Sequence, residues 1–316
     1  MKQYWFMFLF LAGCSAPAPV APTVEQSLDV VGGYELFVKA QEELRRSGIE
    51  SVKWGLTPYL ATETLLENYR PILAYVEARL GVPVELMVGD NYADLERRLV
   101  EGEVDAAIIS PYSYVRAKVE EPGIEVFASQ VAQGSVNYGA YIITREGSGI
   151  GNVKQLKGRS FAYVDRRSTS GWLFPAARML QEGVHPSEDV DAHFLGSHTE
   201  VFEAVLAGDY DAGATYEGAL GEGRAVNPDA AVLLRVIAKA KRIPHEAYTV
   251  RAGFPAIGAE AMGQALSEIS TATVEGRRLL LPLMRLNGFM PVDDSHYDVI
   301  REVESEVRKA GLEFAP

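Results

Sequence analysis

The sequence contains a single cysteine, Cys14, among 316 residues, so no disulfide can form within the chain. Histidine is also scarce. The five lie at positions 185, 193, 198, 245 and 296, and the only close pair, His193 and His198, has no further ligand at zinc-site spacing, which argues against a metal centre. Basic charge is in deficit, with 30 Lys and Arg against 43 Asp and Glu and a formal net charge of −13. That balance argues against a nucleic-acid surface, because phosphate backbones are held mainly by Lys and Arg. It leaves room for a small anion in a local pocket. The apolar run Tyr4 to Ala12 is shorter than the about 20 residues that a transmembrane helix needs. The stretch "GSGIG" at 147–151 lacks the Lys-Ser/Thr of a P-loop and the spacing of a dinucleotide fingerprint, so it reads as a turn between lobes. A Gly-x-Ser-x-Gly nucleophile elbow is missing as well.

What is present fits a secreted globular protein. Hydrophobic residues make up 47% and charged residues 23%, enough for two core-bearing lobes of ordinary size. The opening "MKQYWFMFLFLAGCSA" has Lys2, an apolar run, and small residues before Cys14. This resembles a bacterial lipobox: residues 1–13 read as a signal peptide cut before a lipidated Cys14, with a short uncleaved anchor as the alternative. The following "SAPAPVAPTVEQSLDVVGG" is rich in Pro, Ala and Val, and residues 14–48 read as an extended tether and leading segment.

From about residue 49, short apolar runs alternate with amphipathic stretches, which predicts an α/β fold. One series runs from "SVKWGLT" through a helix over 62–80, "VPVELMVG", "NYADLERRLVEG" and "VDAAIIS" to "PYSYVRAKVEE". A second begins near 150 with "RSFAYVD" and continues through "DAHFLG", "HTEVFEAVLAG" and "DAGATY". At Thr57-Pro58-Tyr59, Ser110-Pro111-Tyr112-Ser113, Ser168-Thr169-Ser170-Gly171 and Gly196-Ser197-His198-Thr199, a strand ends and a helix starts on small or hydroxyl residues. The carboxyl edge of an open α/β sheet is where ligands bind, and helix N-termini there attract anions. Ser and Thr are equally the ordinary N-caps of helices. Three hydroxyls in a row exceed what capping needs. Trp172 is open to stacking or packing, Tyr92 and Tyr138 to cleft wall or packing, and Asp165 braces the loop.

"LKGRSFAYVDRRSTSGWLFPAARMLQEG" and "GSHTEVFEAVLAGDYDAGATYEG" resemble the phosphate/phosphite/phosphonate substrate-binding proteins of ABC transporters. "GEVDAAIISPYSYVRA", "IPHEAYTVRAGFP" and "NGFMPVDDSHYDVI" follow in the same order. The resemblance implies a bilobed type II periplasmic-binding-protein fold, two sheet-and-helix lobes joined by two hinge strands near Tyr141 to Arg145 and Ile243 to Arg251. Lobe 1 is then 49–142 plus 250–316 and lobe 2 is 143–249. It further implies that Ser168, Thr169 and Ser170 donate to phosphoryl oxygens, that His198 adds an imidazole contact, and that Tyr59, Ser110 and Tyr112 close the site. Glu217 stands where the family often has an acidic residue, and Glu246 where it has an aspartate. The implied protein is a monomeric receptor without cofactor that serves an ABC permease from the outer face of the cytoplasmic membrane. Two alternatives stand beside it: the ligand-binding part of a membrane sensor, and a serine hydrolase using Ser170 and His198.

Overall fold

Strand β1 (Val52–Leu56) buries every residue except Lys53, the pattern of a strand covered on both faces. It pairs in parallel with β2 (Val84–Val88) and β3 (Ala106–Ile109). The crossovers are helices α2 (Thr62–Leu80) and α3 (Tyr92–Val100), and α4 (Pro111–Glu120) follows β3. Three antiparallel strands, β4 (Glu125–Ala132), β10 (Ala247–Val250) and β11 (Leu286–Met290), complete a six-stranded sheet of order β11-β4-β10-β3-β1-β2. The computed structural model describes residues 24–221, 230–283 and 285–312. Cys14, and with it the expected signal peptide and lipid anchor, lies outside the described residues.

The second sheet repeats the construction. Strand β6 (Ser160–Tyr163) pairs in parallel with β7 (Asp191–Phe194) and β8 (Ala212–Tyr216). Helices α5 (Phe174–Gln181) and α6 (His198–Ala207) make the crossovers. Antiparallel β5 (Asn137–Arg145) and β9 (Leu234–Pro244) finish the order β7-β6-β8-β5-β9. In both sheets the parallel strands point their carboxyl ends at the same cleft. That geometry makes the loops after β1, β3, β6, β7 and β8 its walls.

Two boundaries differ from the sequence expectations. The chain leaves the first sheet after Ala132 and enters the second at Asn137, through a turn in which Gln133 and Gly134 have φ of 51° and 71°. Tyr141 to Arg145 is therefore the second half of β5, in the second sheet, and not a crossing. The return runs from Pro244 to Ala247 and consists of His245 and Glu246. A long regular strand carries no local mark of which sheet it joins, so the misplacement reflects pairing between distant segments.

The second difference is at the start. Residues placed in the tether form helix α1 (Val24–Arg46), and Phe37, Ala40 and Leu44 bury one stripe of it in the core of the first lobe. Helix α7 (Ala256–Ser267) packs against it. Burial of Phe37 and Leu44 stabilises this arrangement by roughly 1.5–3 kcal/mol each. The last described helix, Asp298–Lys309, rests on both α4 and α5 and so touches both lobes.

Candidate ligand-binding cleft

The hydroxyl-rich loop folds into a π-helical turn, Thr169–Leu173, that runs straight into α5. Gly171 is required at this bend, because a Cβ there would come within 2.4 Å of the Val164 side chain. Ser168 caps the turn: its Oγ accepts a hydrogen bond from the Gly171 N–H at 3.0 Å. Thr169 Oγ1 accepts from the Tyr112 N–H of the other lobe at 2.9 Å. Accepting a backbone N–H leaves each hydroxyl its own proton: that of Ser168 is within hydrogen-bond reach of the Tyr92 hydroxyl, and that of Thr169 can donate into the cleft.

Ser110 is used differently. Its Oγ accepts from the Ser113 N–H at 3.0 Å and donates to the Arg167 carbonyl at 2.7 Å, so its single proton joins the lobes. The His198 N–H donates to the Tyr59 carbonyl across the same cleft at 3.1 Å. Arg167 also reaches Glu96 of α3, at 3.0 and 3.2 Å, in a pair whose side chains are 12% and 4% exposed. These contacts describe a closed cleft.

Beneath them lies a cavity of about 40 Å³ lined by Thr57, Tyr59, Tyr92, Ser110, Tyr138, Ser168, Thr169, Ser170, His198, Tyr216 and Glu246. At roughly 10–15 Å³ per enclosed water, it admits about three or four water-sized groups, the size of a phosphoryl head. The lining contains no Lys or Arg. Burial pushes the Tyr59, Tyr92 and Tyr138 hydroxyls well up, which keeps them protonated. Desolvation pulls His198 down to about 3, so its ring is neutral at neutral pH. His198 Nδ1 lies 2.9 Å from Thr215 Oγ1, which fixes the ring and turns Nε2 to the other side. A hydrolytic triad needs a carboxylate where Thr215 stands. Tyr59 is held from behind: its hydroxyl meets Tyr69 at 3.2 Å, and Gln130 Nε2 donates to the Tyr69 and Tyr248 hydroxyls.

The small cavity shares Tyr59, Tyr138, His198, Tyr216 and Glu246 with a wider chamber of about 610 Å³. Glu246, from the return crossing, borders both spaces. Glu217, at the end of β8, borders only the wider one, its N–H donating to the Gly139 carbonyl at 2.8 Å. The structure thus brings together Ser168, Thr169, Ser170, His198, Tyr59, Ser110 and Glu246 and sets Glu217 one layer out. Tyr112 is a correction. Helical geometry at the start of α4 turns its side chain away, and its hydroxyl bonds Glu304 at 3.3 Å, so only its backbone N–H reaches the cleft.

Thr57, Tyr92 and Tyr138 join the lining, and Trp172 resolves to buried packing against Tyr163 and Phe194. Tyr216 and His245 were not singled out by the sequence. The place of Tyr216 at the carboxyl end of a parallel strand was its available signal. Among the described residues, no group of three or more His, Cys, Asp or Glu could hold a metal, and no helix is long and apolar enough to cross a membrane.

Residues 54–297 match the model of the family described as ABC transporter, phosphonate, periplasmic substrate-binding protein. The phosphate-import protein PhnD of Mycolicibacterium smegmatis is 29% identical over 178 residues, 53% of this chain and 56% of that protein. The phosphonates-binding periplasmic protein of Escherichia coli is 26% identical over 200 residues, 62% and 59% of the two chains. The chain thus aligns with somewhat over half the length of these curated relatives. Among solved structures, the binding component of an ABC phosphonate transporter from Pseudomonas aeruginosa superposes with a TM-score of 0.76 at 22% identity, covering 83% of this chain and 87% of the other. A PhnD protein from Prochlorococcus marinus in complex with methylphosphonate superposes with a TM-score of 0.74 at 19% identity, over 82% and 99%. The two-sheet architecture is accordingly that of type II periplasmic binding proteins, and the chain belongs to the family of periplasmic phosphonate-binding components of ABC transporters.

Proposed function

We propose that this protein is an extracytoplasmic receptor that captures a phosphorus oxyanion, a phosphonate or its phosphate or phosphite counterpart, and presents it to an ABC permease, tethered by a lipid on Cys14. The observation that carries the reading is the 40 Å³ cavity, walled by hydroxyl and phenol donors from both lobes and one neutral imidazole, with the Glu246 carboxylate at its border placed to accept from a protonated P–OH or to meet a cationic substituent. Uncharged donors bind an oxyanion without forming a buried ion pair, and each hydrogen bond to the charged group contributes about 1.5–3 kcal/mol. Relatives named for phosphate import and for phosphonate binding support the choice of phosphorus over other anions. No hydrolytic role is proposed, because His198 pairs with the Thr215 hydroxyl.

Closure supplies the signal for docking. Contacts that exist only when the lobes meet, Ser110 to Arg167, Tyr112 to Thr169, His198 to Tyr59 and Arg167 to Glu96, join both walls of the anion cavity, so a ligand that bridges the walls favours the closed form. Calorimetric titration with methylphosphonate, 2-aminoethylphosphonate, phosphite, phosphate and sulfate tests the reading. A phosphorus anion should bind well ahead of sulfate. Equal or stronger sulfate binding would overturn it.

A further inference from the structure

The closed cleft keeps more space than a small phosphonate can use. Several inter-lobe hydrogen bonds and a buried ion pair hold the lobes together at the anion cavity, yet the adjoining chamber of about 610 Å³ remains. That volume falls within the roughly 300–1,000 Å³ of pockets that enclose drug-sized ligands. Its wall beyond the shared residues mixes Leu60, Ala61, Phe202, Leu206, Leu283 and Leu286 with polar side chains such as Asn68, Gln133 and Glu203, and most of the wall area it exposes is apolar. Tyr59, Tyr138, His198, Tyr216 and Glu246 line both spaces and so stand where they join. A methyl group on phosphorus would leave this wall against water.

We propose that the native ligand carries a bulky, largely apolar organic group on its phosphoryl head, and that the wider chamber is the specificity site for that group. The proposal rests on the phosphorus-oxyanion reading and deepens it. The head enters the 40 Å³ cavity and the substituent leaves it past Tyr59, Tyr138 and Tyr216, burying apolar surface against α2, α6 and the segment before β11. Glu217 and Arg285 border the same chamber, so a polar or charged tip on the substituent finds partners without the body of the group having to be polar.

The test is calorimetry with methylphosphonate, phenylphosphonate and 1-naphthylmethylphosphonate on the intact extracytoplasmic chain. Phenylphosphonate should bind at least about tenfold tighter than methylphosphonate, and the naphthyl compound at least as tightly as the phenyl one, because each added ring buries apolar area. Ala61→Trp adds bulk at an exposed position on the chamber wall, where folding is not at stake, and should reduce the phenyl-to-methyl preference by about tenfold. Methylphosphonate binding with exclusion of both aryl compounds would overturn the proposal and leave the anion reading standing. Failure of all three to bind would remove the anion reading, and the proposal with it. An unchanged preference in Ala61→Trp would likewise take the chamber out of specificity.

Discussion

Replacing Thr169 by valine keeps the branched shape of the side chain and deletes only its hydroxyl, so packing is preserved while two hydrogen bonds are lost. One is the bond accepted from the Tyr112 N–H at 2.9 Å. In the open form water can satisfy that N–H, but closure around valine buries it without a partner, at a cost of about 1–3 kcal/mol. The other is the donation to the ligand that the proposed function assigns to this hydroxyl, a bond to a charged acceptor contributing about 1.5–3 kcal/mol. Both losses fall on the closed, liganded state. They sum to roughly 2.5–6 kcal/mol and, at about 1.4 kcal/mol per tenfold, raise Kd for methylphosphonate about 10²- to 10⁴-fold. Isothermal calorimetry reads this directly, and thermal melting without ligand should move little. Ser110→Ala is the contrasting variant, because the Ser110 proton goes to the Arg167 carbonyl and not to the ligand. It should lower ligand-free stability by about 1 kcal/mol through loss of the α4 cap, with a smaller loss of affinity. A Thr169→Val protein with Kd within about threefold of the parent would refute the donor assignment.

The remaining expectations concern charge. Burial raises Glu96 to about 7 despite the Arg167 guanidinium beside it, so closure takes up a proton and should strengthen as pH falls from about 8 to 6.5. Small-angle scattering of ligand-free protein should show that compaction, and Glu96→Gln should abolish it; a pH-independent radius of gyration in the parent would count against the idea. Desolvation lowers His198 to about 3 and His245 to about 4, so stability from their neutral forms is complete above about 6.5 and is lost as pH falls toward those values. Glu96 and Asp165, both raised by burial, oppose this trend, since a raised carboxylate stabilises on the acid side. Urea melts are therefore read in a protein carrying Glu96→Gln and Asp165→Asn, where pH 5 should be less stable than pH 7.5 by about 2 kcal/mol per histidine, and equal stability would contradict the burial of neutral rings. Glu217 borders only the wider chamber, so Glu217→Gln should weaken 2-aminoethylphosphonate by about tenfold or more and leave the ranking of phosphate and phosphite intact. Unchanged affinity for the aminophosphonate would place Glu217 outside the site.

The sequence by itself determined the elements and the strand-to-helix junctions that line the cleft. Alternation of short apolar runs with amphipathic ones predicted α2 over 62–80, and the structure forms it over Thr62–Leu80 with Pro71 inside. Caps at Ser110, Ser168 and Ser197 were legible because capping is local, set by residues within three positions of one another. Helix α1 was legible in principle through the spacing of Phe37, Ala40 and Leu44, but the Pro-rich lead-in masked it. The tertiary structure alone decided what each hydroxyl does. Ser110 and Thr169 lie fifty-nine positions apart and look alike as helix-start residues, yet the meeting of the lobes has the Ser110 hydroxyl donate to the Arg167 carbonyl and the Thr169 hydroxyl accept from the Tyr112 N–H. It also turned Tyr112 away toward Glu304, paired Arg167 with Glu96, and put Glu246 at the anion cavity by making it one of the two residues of the return crossing. Those outcomes depend on how two separately built sheets face each other, and local spacing carries no record of that relation.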